Sequence, residues 1–261
     1  MTLALGPAGL GSVKTALLTL NSYHARGFRA CEIAFTHGVY IKREADARAI
    51  GMRARELGIA LSIHAPYFVN LGSDDVATRA ASEARILACC NVAAWLGVHR
   101  VVFHPGYYGK DKEHSYRHIK EGIQRLMKEV AHNKWRVLFA PETMGKVNVF
   151  GSMDEIARLV RETGCDFCID FAHLLARDKT VDYARVRTLF PQKHWHVHFS
   201  GIIYGEKGEK QHRTTERAEW KTLLENLPRD TTITLINESP TMFEDCVEGL
   251  AVARAVGHAC A

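Results

Sequence analysis

The stretch Phe167-Cys168-Ile169-Asp170-Phe171-Ala172-His173 decides how the chain is read. A short apolar run ends in a carboxylate, and an imidazole follows three residues later. Side chains alternate across a strand, so Cys168 and Asp170 share one face, and His173 falls in the turn just past the strand end. An acid and a histidine leaving one strand tip can serve one metal ion or two neighbouring ones. Alone, Asp-x-x-His is better explained by an ordinary hydrogen bond. Its weight comes from repetition, because five other apolar runs end in the same manner.

On both sides of this stretch, apolar runs alternate with amphipathic segments. Strands are expected at Leu3–Leu5, Ala30–Phe35, Ile59–His64, Arg100–His104, Arg136–Glu142, Phe167–Asp170, His194–Phe199 and Thr232–Glu238. Helices are expected at Val13–Ala25, Arg43–Leu57, from Ser73 to Leu96, up to His132, and at Asp154–Thr163, Tyr183–Leu189, Glu216–Leu227 and Phe243–Val256. Gly27, Gly58 and Gly97 close helices where a left-handed residue is wanted. Gly201–Thr215 reads as a long polar loop. Eight strand–helix units in series over residues 1–261, without a linker, predict one (β/α)₈ TIM-barrel domain. No glycine-rich dinucleotide fingerprint follows an early strand, which argues against a doubly wound open sheet.

A chain of 261 residues with 47% apolar composition can bury a full core. The formal charge of +5 suits a polyanionic partner without requiring one, and its lysines and arginines are scattered rather than gathered in a basic tail. The apolar N-terminus is too short for a signal peptide or membrane span, so an intracellular (cytoplasmic) protein without a membrane partner is expected. Nothing in the sequence points to an obligate protein partner. Seven cysteines without framework spacing are expected as reduced thiols, with Cys165-x-x-Cys168 packed in the core.

In such a barrel the chemistry sits at the carboxyl ends of the strands. Those ends carry His64, His104, Glu142, Asp170, His196 (or His198) and Glu238, each after an apolar run. Desolvating these groups at one mouth costs several kcal/mol, by rough estimate, unless they are paired or metal-bound. Imidazole mixed with carboxylate suits zinc, manganese or iron, and the absence of a cysteine at any tip argues against a closed structural zinc site. Two further histidines, His173 and His212, join the set from loops.

The motifs HAPYFVNLGS (64–73), FHPG (103–106), PETMGK (141–146), CIDFAH (168–173), HVHFSG (196–201) and NESP (237–240) resemble those of the endonuclease IV family of apurinic/apyrimidinic endonucleases. The resemblance implies a TIM barrel with two or three zinc ions, manganese or iron being acceptable at one site. It implies hydrolysis of the phosphodiester 5′ to an abasic site in double-stranded DNA. By that resemblance His64, His104 and Glu142 hold a first metal. Glu142 bridges to a second, also held by Asp170, His196 and Glu238, and His173 and His212 belong to a third. Glu142 and Glu238 are the carboxylates assigned to catalysis, Tyr67 and Asn70 lie in the loop beside the substrate, and Lys146, from a basic loop over the mouth, is expected to contact a backbone phosphate. The family has an aspartate two residues before the last histidine, where this chain has Lys210, so a weakened third site is expected unless Glu209 substitutes. The alternative is a one-metal sugar isomerase or epimerase on the same barrel, for which Glu142, Asp170, His196 and Glu238 would suffice.

Overall fold

The computed structural model describes residues 2–261. In chain order the elements are β1 (Leu3–Pro7), α1 (Ala16–Ala25), β2 (Ala30–Ala34), α2 (Glu44–Glu56), β3 (Ala60–His64), α3 (Val76–Leu96) and β4 (Arg100–Phe103). Then come α4 (Lys112–His132), β5 (Leu138–Pro141), α5 (Met153–Thr163), β6 (Cys168–Asp170), α6 (Phe171–Asp178), α7 (Tyr183–Leu189) and β7 (His194–Phe199). β8 (Gly201–Gly205), β9 (Gly208–Arg213), α8 (Arg217–Asn226), β10 (Thr232–Asn237) and α9 (Met242–Ala255) complete the chain.

Two parallel four-stranded sheets, ordered β1-β10-β7-β6 and β2-β3-β4-β5, close on each other at two seams. At one seam the Arg29 amide donates to the Leu5 carbonyl at 2.9 Å, and Ala8 pairs with Glu32. At the other, Glu142 pairs with Cys168, and the Thr143 amide donates to the Cys168 carbonyl at 3.1 Å. The result is the eight-stranded (β/α)₈ TIM barrel that the alternating pattern predicts.

Most apolar burial lies outside the strands, against the helices: Leu5, Ile33, Ile63, Val101, Phe103, Ile169, Val197 and Leu235 all belong to one large core. The inward-facing apolar residues form a much smaller cluster of Val102, Ala140 and Cys168. All seven cysteines are free thiols. Among the described residues no helix is long and apolar enough to cross a membrane.

Two elements depart from expectation. Residues 171–178 form α6, because the Asp170 side chain caps it by accepting from the His173 amide at 2.8 Å. An eight-residue helix is too short to show its period in a sequence. The polar segment after β7 is the antiparallel hairpin β8–β9, whose Glu, Lys and Gln side chains disguise it as a loop.

The β1–β2 seam admits no side chain at Gly6, where a Cβ would lie 1.7 Å from the Ala30 carbonyl oxygen. Gly6→Ala should therefore lower the unfolding free energy by about 3 kcal/mol, since backbone must move to relieve the overlap. Urea denaturation tests this, and a loss below about 1 kcal/mol would show that the seam is loose.

Candidate metal centre

The strand ends deliver a ring of donors to one mouth. His64 and Asp170 are the last residues of β3 and β6, while His104, Glu142 and Glu238 follow immediately after β4, β5 and β10. His173 comes from the first turn of α6 and His212 from β9. Of the groups whose donor atoms lie within 4.8 Å of one another, Cys168, His196 and His198 form one beneath this mouth, and these three lie at it: His64, His104 and Glu142; Glu142, Asp170, His198 and Glu238; and Asp170, His173 and His212. Glu142 belongs to the first two groups and Asp170 to the last two, so the groups interlock.

Glu142 is the hub. Its side chain has no exposed surface. Oε2 lies 3.1 Å from His64 Nε2 and 3.4 Å from His104 Nε2, and Oε1 lies 3.1 Å from His173 Nδ1. Burial acts to raise its pKa, but the charges of His104 and His198 overcome that and hold the carboxyl well below the usual range. Burial pushes His64 down in turn, and its bond to Glu142 overrides this to lift the imidazole to about 9.

Hydrogen bonds fix which ring nitrogen faces the mouth. A carbonyl can only accept, so the Nδ1 atoms of His64, His173 and His212 donate to the carbonyls of Ala65 (2.7 Å), Thr143 (2.9 Å) and Glu238 (3.2 Å). Their Nε2 atoms are left for the site. His173 Nε2 and His212 Nε2 then lie 3.3 Å apart, two facing lone pairs that require a proton or a cation between them. In the four-residue group, Glu142 Oε1, Asp170 Oδ2 and His198 Nδ1 are buried without a hydrogen-bond partner. Buried donor atoms left open and converging on one another fit a cation.

Of the two histidines the sequence reading offered for this position, His198 stands with the mouth group and His196 below it. His194, His196 and His198 share the inward face of β7, but depth separates them. Asp170 pairs in register with His198, and Cys168 with His196. His198 Nδ1 therefore reaches Glu238 Oε1 at 3.4 Å and Glu142 Oε1 at 3.7 Å. His196 sits one layer lower, where its Nε2 bonds Glu32 Oε2 at 2.9 Å. Glu32, which the sequence reading passed over, is fully buried and also accepts from the Ser62 hydroxyl at 2.7 Å. Its signal was available: an acid in the middle of the apolar run Ala30–Phe35 rather than at its tip.

The third group contains a carboxylate despite Lys210. Along the hairpin Ile203 pairs with Gln211 but Tyr204 pairs with Glu209, so Lys210 is the extra residue of a β-bulge. The bulge swings Glu209 inward: Oε2 lies 3.4 Å from His173 Nε2 and Oε1 lies 3.9 Å from His212 Nε2. Lys210 is exposed, with its ammonium end against Gly205.

The mouth opens into a cavity of about 590 Å³, with Tyr67, Tyr107, Met144, Lys146 and Met242 in its wall. The Tyr67 ring stands 5.5 Å from that of His104 and is 53% exposed. Asn70, expected beside a substrate, is half-buried next to Tyr107. Its side-chain oxygen accepts from the Tyr107 amide at 3.1 Å.

Comparison with known proteins agrees with the fold. The model of the family described as Xylose isomerase-like TIM barrel matches residues 21–240. An uncharacterized protein of Methanocaldococcus jannaschii is 34% identical over 236 residues, 84% of each chain. The "Probable endonuclease 4" of Mycobacterium leprae is 32% identical over 119 residues, 44% of this chain and 45% of that protein. The chain thus matches under half of the length of that relative. Among solved structures, SacUVDE superposes with a TM-score of 0.77 at 16% identity, covering 99% of each chain. Endonuclease IV from Thermus thermophilus superposes at 0.72 with 22% identity, over 97% of this chain and 98% of that one. D-psicose 3-epimerase from Clostridium cellulolyticum superposes at 0.69 with 15% identity, over 98% and 96%. Identities this low speak for the fold alone.

Burial depresses His196 to about 4, against the opposing bond to Glu32, and its Nδ1 has no partner that a proton could serve. The unfolded chain, with an ordinary histidine near 6.5, therefore binds the extra proton between about pH 4 and 6.5. The contribution of His196 is fully present above that window and is lost as pH falls through it, with a slope of at most about 1.4 kcal/mol per pH unit. His196→Asn should thus cost less stability at pH 5 than at pH 7 in chelator-treated protein. A cost that grows toward acid would mean that His196 is charged in the fold.

Proposed function

The chain belongs to the xylose isomerase-like TIM barrel family, and from that premise we propose that it is a metal-dependent phosphodiesterase of the endonuclease IV type, cutting DNA 5′ to abasic sites. One observation carries this reading: the three interlocked donor groups at the barrel mouth. A sugar epimerase working with one ion needs only a set such as Glu142, Asp170, His198 and Glu238. The additional groups built on His64 and His104, and on His173, His212 and Glu209, then have no task. A cluster of cations neutralises a phosphodiester, lowers the pKa of the attacking water and stabilises the leaving oxygen.

In this reading His64, His104 and Glu142 hold one ion, and Glu142, Asp170, His198 and Glu238 hold a second. Asp170, His173, His212 and Glu209 hold a third. The nitrogen and carboxylate donors suit zinc, with manganese or iron acceptable at one site. Glu142 and Glu238 orient the attacking water by accepting its hydrogen bonds. Lys146 in the cavity wall offers its ammonium to a substrate phosphate. Tyr67, Phe68 and Tyr107 stand about half exposed near the rim, as an apolar wedge against an extruded sugar would. A baseless sugar-phosphate extrudes at least cost, since there is no base to unstack or unpair.

A labelled duplex with one tetrahydrofuran site should be nicked on the 5′ side by zinc- or manganese-loaded protein, and the lesion-free duplex left intact. Absence of cleavage under every metal, with turnover of a ketose or aldose, would replace this reading by the epimerase one. Glu142→Gln should reduce cleavage at least about 100-fold, about 2.7 kcal/mol of barrier, in a protein that still melts cooperatively. Retention of a tenth of the rate would remove Glu142 from the mechanism. Glu209→Gln should weaken one bound ion selectively and slow cleavage about tenfold or more. Unchanged metal binding would exclude Glu209 as a ligand.

A further inference from the structure

We infer that Glu32, one layer beneath the mouth, is the positioning residue that turns His198 so that it binds metal through Nδ1, opposite to the ring nitrogen used by its neighbours. The inference rests on the reading of Glu142, Asp170, His198 and Glu238 as a metal site.

The orientation of His198 differs from that of the other histidines. His64, His173 and His212 each hold Nδ1 on a backbone carbonyl and present Nε2 to the mouth. His198 presents Nδ1 to Glu142 and Glu238, while its Nε2 points down and lies 2.9 Å from Glu32 Oε1. No backbone carbonyl holds that nitrogen. Glu32 divides its two oxygens between a fixed frame and this ring. Oε2 is anchored by the Ser62 hydroxyl at 2.7 Å and by His196 Nε2 at 2.9 Å. Oε1 and His198 Nε2 are both buried and neither has another hydrogen-bond partner, so their 2.9 Å contact, though out of line, is the one open to each.

A carboxylate without exposed surface is an expensive floor for a barrel whose inward apolar residues there are Val102, Ala140 and Cys168. An apolar residue of similar size would pack there with less loss. What a carboxylate adds is an acceptor for the outer N–H of a ligating imidazole. Once the 2.9 Å contact is drawn into line, such a bond fixes the ring and its tautomer and makes the inner nitrogen a better donor. His196 then has a role without touching metal: with Ser62 it pins the carboxylate that pins His198.

Two measurements test this. In protein carrying zinc and ¹⁵N-histidine, long-range ¹H–¹⁵N correlation should show His198 metallated at Nδ1 and protonated at Nε2, with His64, His173 and His212 showing the reverse. The His198 signals are assigned by their loss in His198→Gln. Zinc on Nε2 of His198 would overturn the inference with no variant of Glu32 required. Second, Glu32→Gln, which keeps size and loses charge, should weaken zinc affinity about 10- to 100-fold in competition with a chromophoric chelator. Affinity equal to wild type in a folded Glu32→Gln protein would make Glu32 a structural counter-charge only. If wild-type protein takes up no divalent ion at all, the metal-site reading itself fails, a result distinct from either of these.

Discussion

The structure turns on the burial of the Glu142 carboxylate among imidazoles. An isolated carboxylate with no access to water is destabilised by several kcal/mol, by rough estimate, unless positive charge or hydrogen bonds surround it. Here His64, His104, His173 and His198 converge on it from four different strand ends or the turns beside them. In the absence of other cations, protons on the imidazoles supply the counter-charge, and His173 and His198 are accordingly raised well above an ordinary histidine against the effect of burial. Metal ions would supply the same charge while leaving the histidines neutral and ligating.

That constraint explains several local features together. Asp170 must both end β6 and begin α6, and it does so by giving one oxygen to the His173 amide and leaving the other free toward the site. The β8–β9 hairpin folds back over the mouth, with Gly208 pairing against Lys146, and thereby brings in Glu209 and His212. Gly145 has no room for a side chain there, since a Cβ would meet Glu209 and His173 at 2.8 and 2.9 Å. The loop between them is shaped by the donors it must pass.

The barrel and most of its donors were legible because both depend on short-range pattern: apolar runs of strand length, helical periods between them, and a polar residue where each run stops. What was not legible depends on register between strands. Alternation puts His194, His196 and His198 on one face but says nothing of depth, which the pairing of Asp170 with His198 decides. The inward turn of Glu209 depends on a bulge at Lys210 that only the partner strand reveals. Asn70 was read by its place in a motif, and its side-chain oxygen accepts from the Tyr107 amide. Glu32 could have been found, since an acid inside an apolar strand run is a buried charge in need of partners.

The number of cations held at the mouth separates a multi-metal phosphodiesterase from a one-metal epimerase. The direct measurement is elemental analysis of protein purified without chelator, then dialysed against zinc and freed of excess, expressed as ions per chain. Interlocked donor groups predict at least two tightly held ions and a third at saturation. A single ion per chain at full occupancy would contradict the multi-metal reading, leaving the set of Glu142, Asp170, His198 and Glu238 to serve alone.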